Sequence, residues 1–585
     1  MKRIGKIPAA AIIFASLLAC SRLHAFACTG IYVGKDASSD GTYIIARSSD
    51  NQAVWGNHIT VVESSDVPGR QMPVDMDGTV MATLPDHTYK YVATPFFTST
   101  MVANDVANDA SACVNECGVS ITMAVTAFAN DVSLAADPYV ENGLTENTAD
   151  DLILCQSGSA REAVEVLLKL IDEYGNSESN IALITDQNEA WYVEMYTGHQ
   201  YAAVRLPDDC VSVFGNEFTM EYLSDYEESI VSEGLESLAK ENGFAVYGRN
   251  NELNLFDTYS GDGMTLPYCH MRTWIGHQVL APSVYKADYS ATERYPLCFK
   301  PDQKVSMADV TALIRNRYEG TKYNPDETGR IDMRVIGTDT AMSVHALQVY
   351  PNLPTEMSAL IWESTGPAIY GIFVPVSSAA LSVSDAYGKD QGADEQNHFD
   401  TENYPYYAFK ELSTLCVERD DYIVYGQPVR AYWNEAEGKM YATMPIVLQN
   451  AAQMKDKNVA AEYITQYCNS VQEKAFADAK QLVNDVLWEE SKNSNTMKTG
   501  RNPETGERWD KERVLDPMAI TLDATAYGMI PEIQAATAGN GNGTVSSGDA
   551  GGGRMFVPLV IFAVIAVFAG IVLAVMKKTE TKDPK

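Results

Sequence analysis

The sequence predicts an α+β fold, and three observations carry that prediction. Runs rich in β-branched and aromatic residues follow one another at 31–33, 42–46, 119–125, 181–185, 190–196 and 201–206. Helical spacing of apolar residues is confined to separate blocks, clearest at 160–174 and 457–490. The strand runs are joined by short polar turns and do not alternate with helices, which points to separate α and β layers.

Taken in order, the chain opens with Lys2, Arg3 and Lys6, then an apolar run over 7–19, then Ala25-Phe26-Ala27. Basic, apolar and small-residue regions in that order make a secretory signal over 1–27, cut after Ala27. Leu17-Leu18-Ala19-Cys20 offers a second reading, a lipobox whose Cys20 would be lipidated and retained. The cut after Ala27 makes Cys28 the first residue of the mature chain. Residues 31–33 and 42–46 then read as a hairpin turning through Gly34 to Gly41, with Arg47-Ser48-Ser49-Asp50 at its end. Further strands are expected at 59–64 and 88–94. Asn115-Glu116-Cys117-Gly118 reads as a turn before the strand at 119–125. The 160–174 helix should stop at Gly175. A meander follows over 181–206, and a strand at 211–214 closes at Gly215-Asn216. Residues 220–300 mix helix and loop. Ser306 with Asp309 caps a helix running to Arg315. Strands are expected at 359–362 and 369–374, and a long amphipathic helical region at 457–490.

The C-terminal end reads differently. Residues 536–554 are mostly Gly, Asn, Ser and Thr, a flexible linker. Residues 555–576 carry no charge and are long enough, at ~1.5 Å per residue, to cross a bilayer. Lys577 and Lys578 follow, so 577–585 reads as a cytoplasmic tail. The expected arrangement is a body at 28–535 outside the cell, held at the cell membrane by a single C-terminal transmembrane helix.

Composition limits the function classes. The chain has 585 residues, room for one large core or two smaller ones. Its 43 Lys and Arg against 78 Asp and Glu give a net charge of −35. Removal of the signal takes away Lys2, Arg3, Lys6 and Arg22 and no acid, so the mature chain is more acidic still. Such a surface repels nucleic acid. Ten cysteines in this length do not make a disulfide scaffold, although Cys113 and Cys117 are close enough in sequence to bridge. There is no CxxC or HExxH pattern, and eight scattered histidines give no metal signal. The oligomeric state is open, a homo-oligomer included.

The chemistry starts from Cys28. An N-terminal cysteine carries a thiol and a free α-amine on one residue, so the amine can serve as base for the thiol. Arg47 and Asp50 lie one hairpin away. On a neighbouring strand Arg47 would depress the thiol pKa, and Asp50 would hold the α-amine and bind charge on the substrate. An ordinary surface ion pair fits the same spacing. Asn216 at a strand end can donate its amide to an oxyanion, or can be a turn asparagine. Arg272 can close the site or be a buried structural arginine.

Beyond Cys28-Thr29-Gly30 and Arg47-Ser48-Ser49-Asp50 runs an ordered series of motifs. It includes Asn115-Glu116-x-Gly118-Val119, Ala160-Arg161-Glu162-Ala163, Glu189-Ala190-Trp191 and Arg205-Leu206-Pro207-Asp208-Asp209. Gly215-Asn216, Arg272-Thr273-Trp274, Tyr318-Glu319-Gly320-Thr321 and Phe373-Val374-Pro375-Val376 complete it. Over about 28–490 the series resembles the cysteine dipeptidases of lactic-acid and gut bacteria, within the N-terminal-nucleophile (Ntn) hydrolases. Penicillin V acylase and conjugated-bile-salt hydrolase belong to the same superfamily. The resemblance implies a four-layer αββα sandwich of the Ntn-hydrolase type with additional C-terminal helices. It implies that Cys28 starts a central strand, that Arg47 and Asp50 flank it, that Asn216 belongs to the oxyanion hole, and that Arg272 closes the site. Small peptides would be hydrolysed through a thioester, with no metal or organic cofactor. The acylase relatives place a further asparagine near Val125-Thr126, where this chain has none, which favours the dipeptidase branch. The alternatives are an amidase or acylase of the same superfamily and, in a different class, a non-catalytic surface-binding protein.

Overall fold

The computed structural model describes residues 27–50, 56–96, 110–328, 334–390, 399–417, 422–494 and 516–532. In chain order the strands are β1 (Ala27–Val33), β2 (Tyr43–Asp50), β3 (Thr60–Val62), β4 (Gln71–Pro73), β5 (Met81–Thr83), β6 (Tyr91–Pro95), β7 (Ala110–Asn115), β8 (Ser120–Thr126), β9 (Asn180–Thr185), β10 (Ala190–Met195), β11 (Tyr201–Arg205), β12 (Val211–Phe214), β13 (Ser229–Val231), β14 (Ala341–Val349), β15 (Ala359–Thr365) and β16 (Val374–Ser377). Among the described residues the helices of eight or more residues are α1 (Glu146–Leu154), α2 (Ala160–Tyr174), α3 (Pro267–Leu280), α4 (Met307–Ile314), α5 (Pro405–Val417), α6 (Gln427–Ala452) and α7 (Lys457–Ser494).

The strands form a six-stranded sheet, β12-β1-β2-β14-β15-β16, an eight-stranded sheet, β13-β11-β10-β9-β8-β7-β6-β3, and a separate two-stranded ribbon, β4-β5. Every pairing within the two sheets is antiparallel. The sheets face each other through β1, β2, β14 and β15 on one side and β7, β8 and β9 on the other. Helices α1 and α2 cover the far face of the eight-stranded sheet, and α3, α4, α5 and α7 lie against the six-stranded one. The layers therefore run helix, sheet, sheet, helix.

Sequence dictates this layering because the middle strands are apolar on both faces. In β9, Ile181 and Leu183 join the core between the sheets, while Ala182 and Ile184 join the core under α1 and α2. Alternation across a strand turns one continuous apolar run into two buried faces. Helix α2 keeps its predicted bounds. The Ser159 side chain accepts from Glu162 N–H at its start, and Gly175 at φ 74° ends it, a conformation that glycine adopts without strain. Its buried stripe is Ala163, Val164, Leu167, Leu168, Leu170 and Ile171. Each fully buried Leu or Ile there is worth about 1.5–3 kcal/mol.

One expected strand is displaced. Residues 369–373 are buried but not in a sheet, and the strand begins at Val374. The reason is a buried ion pair, Arg315 with Glu437. Arg315 donates to the carbonyls of Ala368 and Gly371, and Glu437 accepts from Phe373 N–H at 2.8 Å. Side chains thus satisfy backbone groups that a strand would have paired in a ladder. Cys113 and Cys117 do not bridge; all nine cysteines among the described residues are free thiols. Among the described residues no helix is long and apolar enough to cross a membrane. The signal residues 1–26 with Cys20, the linker 536–554, the expected membrane helix 555–576 and the tail 577–585 lie outside the described residues.

Candidate active site

The site forms where β1 begins and β2 ends. Antiparallel register sets Ala27 against Asp50, Cys28 against Ser49 and Gly30 against Arg47. β14 continues the rows on the other side of β2, with Ser343 against Ser49 and His345 against Arg47. Strand alternation puts Cys28, Arg47 and Ser49 on the face toward the second sheet, and Thr29, Ser48 and Asp50 on the opposite face. Asp50 therefore stands beside the Ala27–Cys28 peptide and not beside the sulfur.

Cys28 is fully buried. Arg47 Nη2 lies 3.2 Å from its Sγ and 3.1 Å from Glu146 Oε1, at the start of α1. Glu146 also accepts from Asn180 Nδ2 at 2.9 Å and Thr126 Oγ1 at 3.3 Å. Arg47 and Glu146 are 3 % and 7 % exposed, so this is a buried pair. Removing one partner of such a pair costs about 3–5 kcal/mol. Glu146 is a site residue that local sequence does not reveal, since 99 residues separate it from Arg47. Burial pushes the Cys28 thiol above its ordinary value; Arg47 pulls it down, and Glu146 and Asp50 push it up. Arg47 thus acts in the expected direction, but burial outweighs it. His345, beside Arg47 in register, is held neutral by burial and by that guanidinium, its Nε2 3.0 Å from Thr122 Oγ1.

Asp50 is fully buried. Its Oδ1 accepts from Ser48 Oγ at 2.6 Å, whereas its Oδ2 has no hydrogen-bond donor. Burial raises its carboxyl to about 6, against the opposing pull of Arg334 first and then the Ser48 hydrogen bond.

Arg272 is carried by α3 and is fully buried. It donates to Tyr268 O at 2.7 Å, to Thr29 Oγ1 at 3.0 Å, to the Cys28 carbonyl and to Asn216 Oδ1. Asn216 Nδ2 donates to Thr126 O at 2.6 Å. The approach of α3 to the end of β12 needs Gly215, where a Cβ would run into the Cys269 carbonyl. All five residues singled out from sequence, Cys28, Arg47, Asp50, Asn216 and Arg272, thus meet in one connected cluster. Among the described residues no group of three or more His, Cys, Asp or Glu could hold a metal ion.

The arrangement supplies a buried sulfur beside a guanidinium, a carboxylate oxygen without a hydrogen-bond donor beside the Cys28 main chain, and an amide fixed by an arginine. The chain is also similar to known proteins. The model of peptidase family C69 matches residues 27–435. A "Probable dipeptidase B" of Streptococcus pyogenes serotype M1 is 30 % identical over 380 residues, 62 % of this chain and 74 % of the relative. A "Probable dipeptidase" of Latilactobacillus sakei is 28 % identical over 385 residues, 63 % and 77 % of the two chains. A "Probable dipeptidase" of Salmonella dublin is 30 % identical over 362 residues, 60 % and 80 %.

Proposed function

Since the chain belongs to peptidase family C69 and is a peptidase, we propose that it is an exported cysteine dipeptidase whose nucleophile is Cys28. Its activation is removal of residues 1–27, which frees the Cys28 α-amine. The observation that carries this reading is the split environment of Cys28: Arg47 on the sulfur at 3.2 Å, and Asp50 across from the peptide bond that would be cut.

In the first half-reaction the α-amine takes the thiol proton as Sγ attacks the scissile carbonyl. Asp50 holds the resulting ammonium and keeps it aimed at the sulfur. Arg47 favours the thiolate over the thiol. In this reading the Asn216 amide, held in place by Arg272 and the Thr126 carbonyl, meets the developing oxyanion together with a backbone N–H. A donor of this kind is worth about 10²–10³ in rate. Arg272 fixes both the Asn216 amide and the Cys28 carbonyl, so it sets the angle between nucleophile and oxyanion hole. The ammonium then protonates the leaving amine. In the second half-reaction the neutral amine activates water, which hydrolyses the thioester and returns the sulfur. The body would be tethered outside the cell by residues 555–576.

The test is a dipeptide panel with the purified exported protein and its Cys28→Ala variant. Turnover by the first and none by the second is expected. Turnover by Cys28→Ala, or none by either, contradicts the reading.

A further inference from the structure

A dipeptidase must read the ends of its substrate as well as break the bond between them, and the arginines around Cys28 are not equivalent. Arg47 spends its Nη2 on the sulfur and on Glu146, and its Nε, which has no partner, is buried away from solvent. Arg272 spends its donors on Tyr268 O, Thr29 Oγ1, the Cys28 carbonyl and Asn216. Both are buried. Arg334 is different. Its side chain is 29 % exposed, and among the described residues its guanidinium has a single partner, Asp50 Oδ2, at 3.8 Å. That is an ion pair too long for a hydrogen bond, so among the described residues its donors have no hydrogen-bond partner.

Arg334 is also held in place. Its carbonyl accepts from the Tyr318 hydroxyl at 2.6 Å, and Tyr318 is fully buried with its own backbone at φ 61°. A left-handed tyrosine persists only where its surroundings impose it. Val335 and Ile336, next in the chain, are buried, and Arg317 Nη1 holds the Gly337 carbonyl at 2.8 Å. The segment is therefore anchored, and the guanidinium at its start faces Asp50 beside Cys28. The electrostatic influence of Arg334 also reaches Tyr268 and Cys269 at the start of α3, next to Arg272.

We propose that Arg334 binds the free C-terminal carboxylate of the dipeptide, and that the requirement for this carboxylate rests on that side chain. The inference builds on the dipeptidase reading above. Once the Cys28 ammonium occupies the open Oδ2 of Asp50, Arg334 is left with donors and no anion. The carboxylate of a dipeptide lies only three covalent bonds beyond the scissile carbonyl, about 4 Å away. A planar guanidinium matches a carboxylate with two parallel hydrogen bonds. A longer peptide has a neutral amide at the same place and leaves the arginine unpaired, so one side chain sets both the charge and the length that are accepted.

The exported protein, its N-terminus verified as Cys28, is assayed on L-alanyl-L-alanine and on the C-terminal amide of the same dipeptide. Wild type is expected to prefer the free acid by about 100-fold or more in kcat/KM, as a site built to bind a charged group rejects its neutral analogue. Arg334→Ala should raise KM for the acid and collapse that preference to about threefold or less, with an unchanged circular dichroism spectrum reporting an intact fold. Arg334→Lys should restore part of the preference, since it keeps the charge and loses the fork. Undiminished preference in Arg334→Ala overturns the inference and leaves the dipeptidase reading standing. Cleavage of neither compound by wild type overturns the dipeptidase reading and this inference with it.

Discussion

Cys28 and Cys113 are both fully buried thiols on strands of facing sheets, Cys28 on β1 and Cys113 on β7. Burial pushes both thiols up. The difference is the neighbour. Cys28 has a guanidinium at 3.2 Å, which works against burial. Cys113 has the Asp151 carboxylate at 4.0 Å, which works with burial, and Asp150 adds to it. Burial alone makes an inert thiol; the proposed nucleophile differs in having a cation beside it, placed there by strand register. The same contrast separates two acids. Asp50, facing Arg334, is held at about 6. Glu363, with only Asn57 and Ser343 to oppose its burial, is raised to about 8.

The largest expected effect comes from erasing the thiol contrast. Arg47→Met keeps the bulk of the stem and removes the charge, so the Cys28 environment comes to resemble that of Cys113. Its thiol should move further up, and dipeptide turnover should fall by about 100-fold or more. Iodoacetamide labelling of Cys28 at pH 8 should slow in parallel. Cys113→Ala, by contrast, should leave turnover within about twofold. Equal losses from the two variants would break the comparison.

A smaller effect follows for the acids. Glu363 is more readily protonated in the fold than at its ordinary value of 4.5, so its contribution favours folding fully below about 4.5 and is lost as pH rises through about 8. Glu363→Gln removes that burden. The variant should melt at nearly the wild-type temperature at pH 5 and higher than wild type at pH 9, by about 2 °C. A difference that shrinks with rising pH would show the assigned direction to be wrong.

Local chemistry made much of this legible from sequence. The 160–174 helix has its cap, its stripe and its stop in one short window. The β1–β2 hairpin has its apolar runs and turn, and it carries Cys28, Arg47 and Asp50 together. What escaped was set by distant partners. β14 is central in its sheet, yet Ser343 and His345 interrupt its apolar pattern because they face a polar interior beside β2. Residues 369–373 look like a strand until Arg315 and Glu437 take their backbone groups. Glu146 and Arg334 reach the site from loops and helix ends far along the chain, and no local spacing marks them.

The central claim is that the Cys28 α-amine, not a separate side chain, is the base for the thiol. The most direct measurement compares dipeptide turnover by the chain that begins at Cys28 with turnover by the same chain retaining Ala27 as one extra residue. The extra residue converts the amine to an amide and leaves Arg47, Asn216 and Arg272 untouched. Turnover should fall by about 100-fold or more, the usual worth of a general base, while the sulfur can still be alkylated. Equal turnover by the two chains would contradict the account and require a base elsewhere in the site.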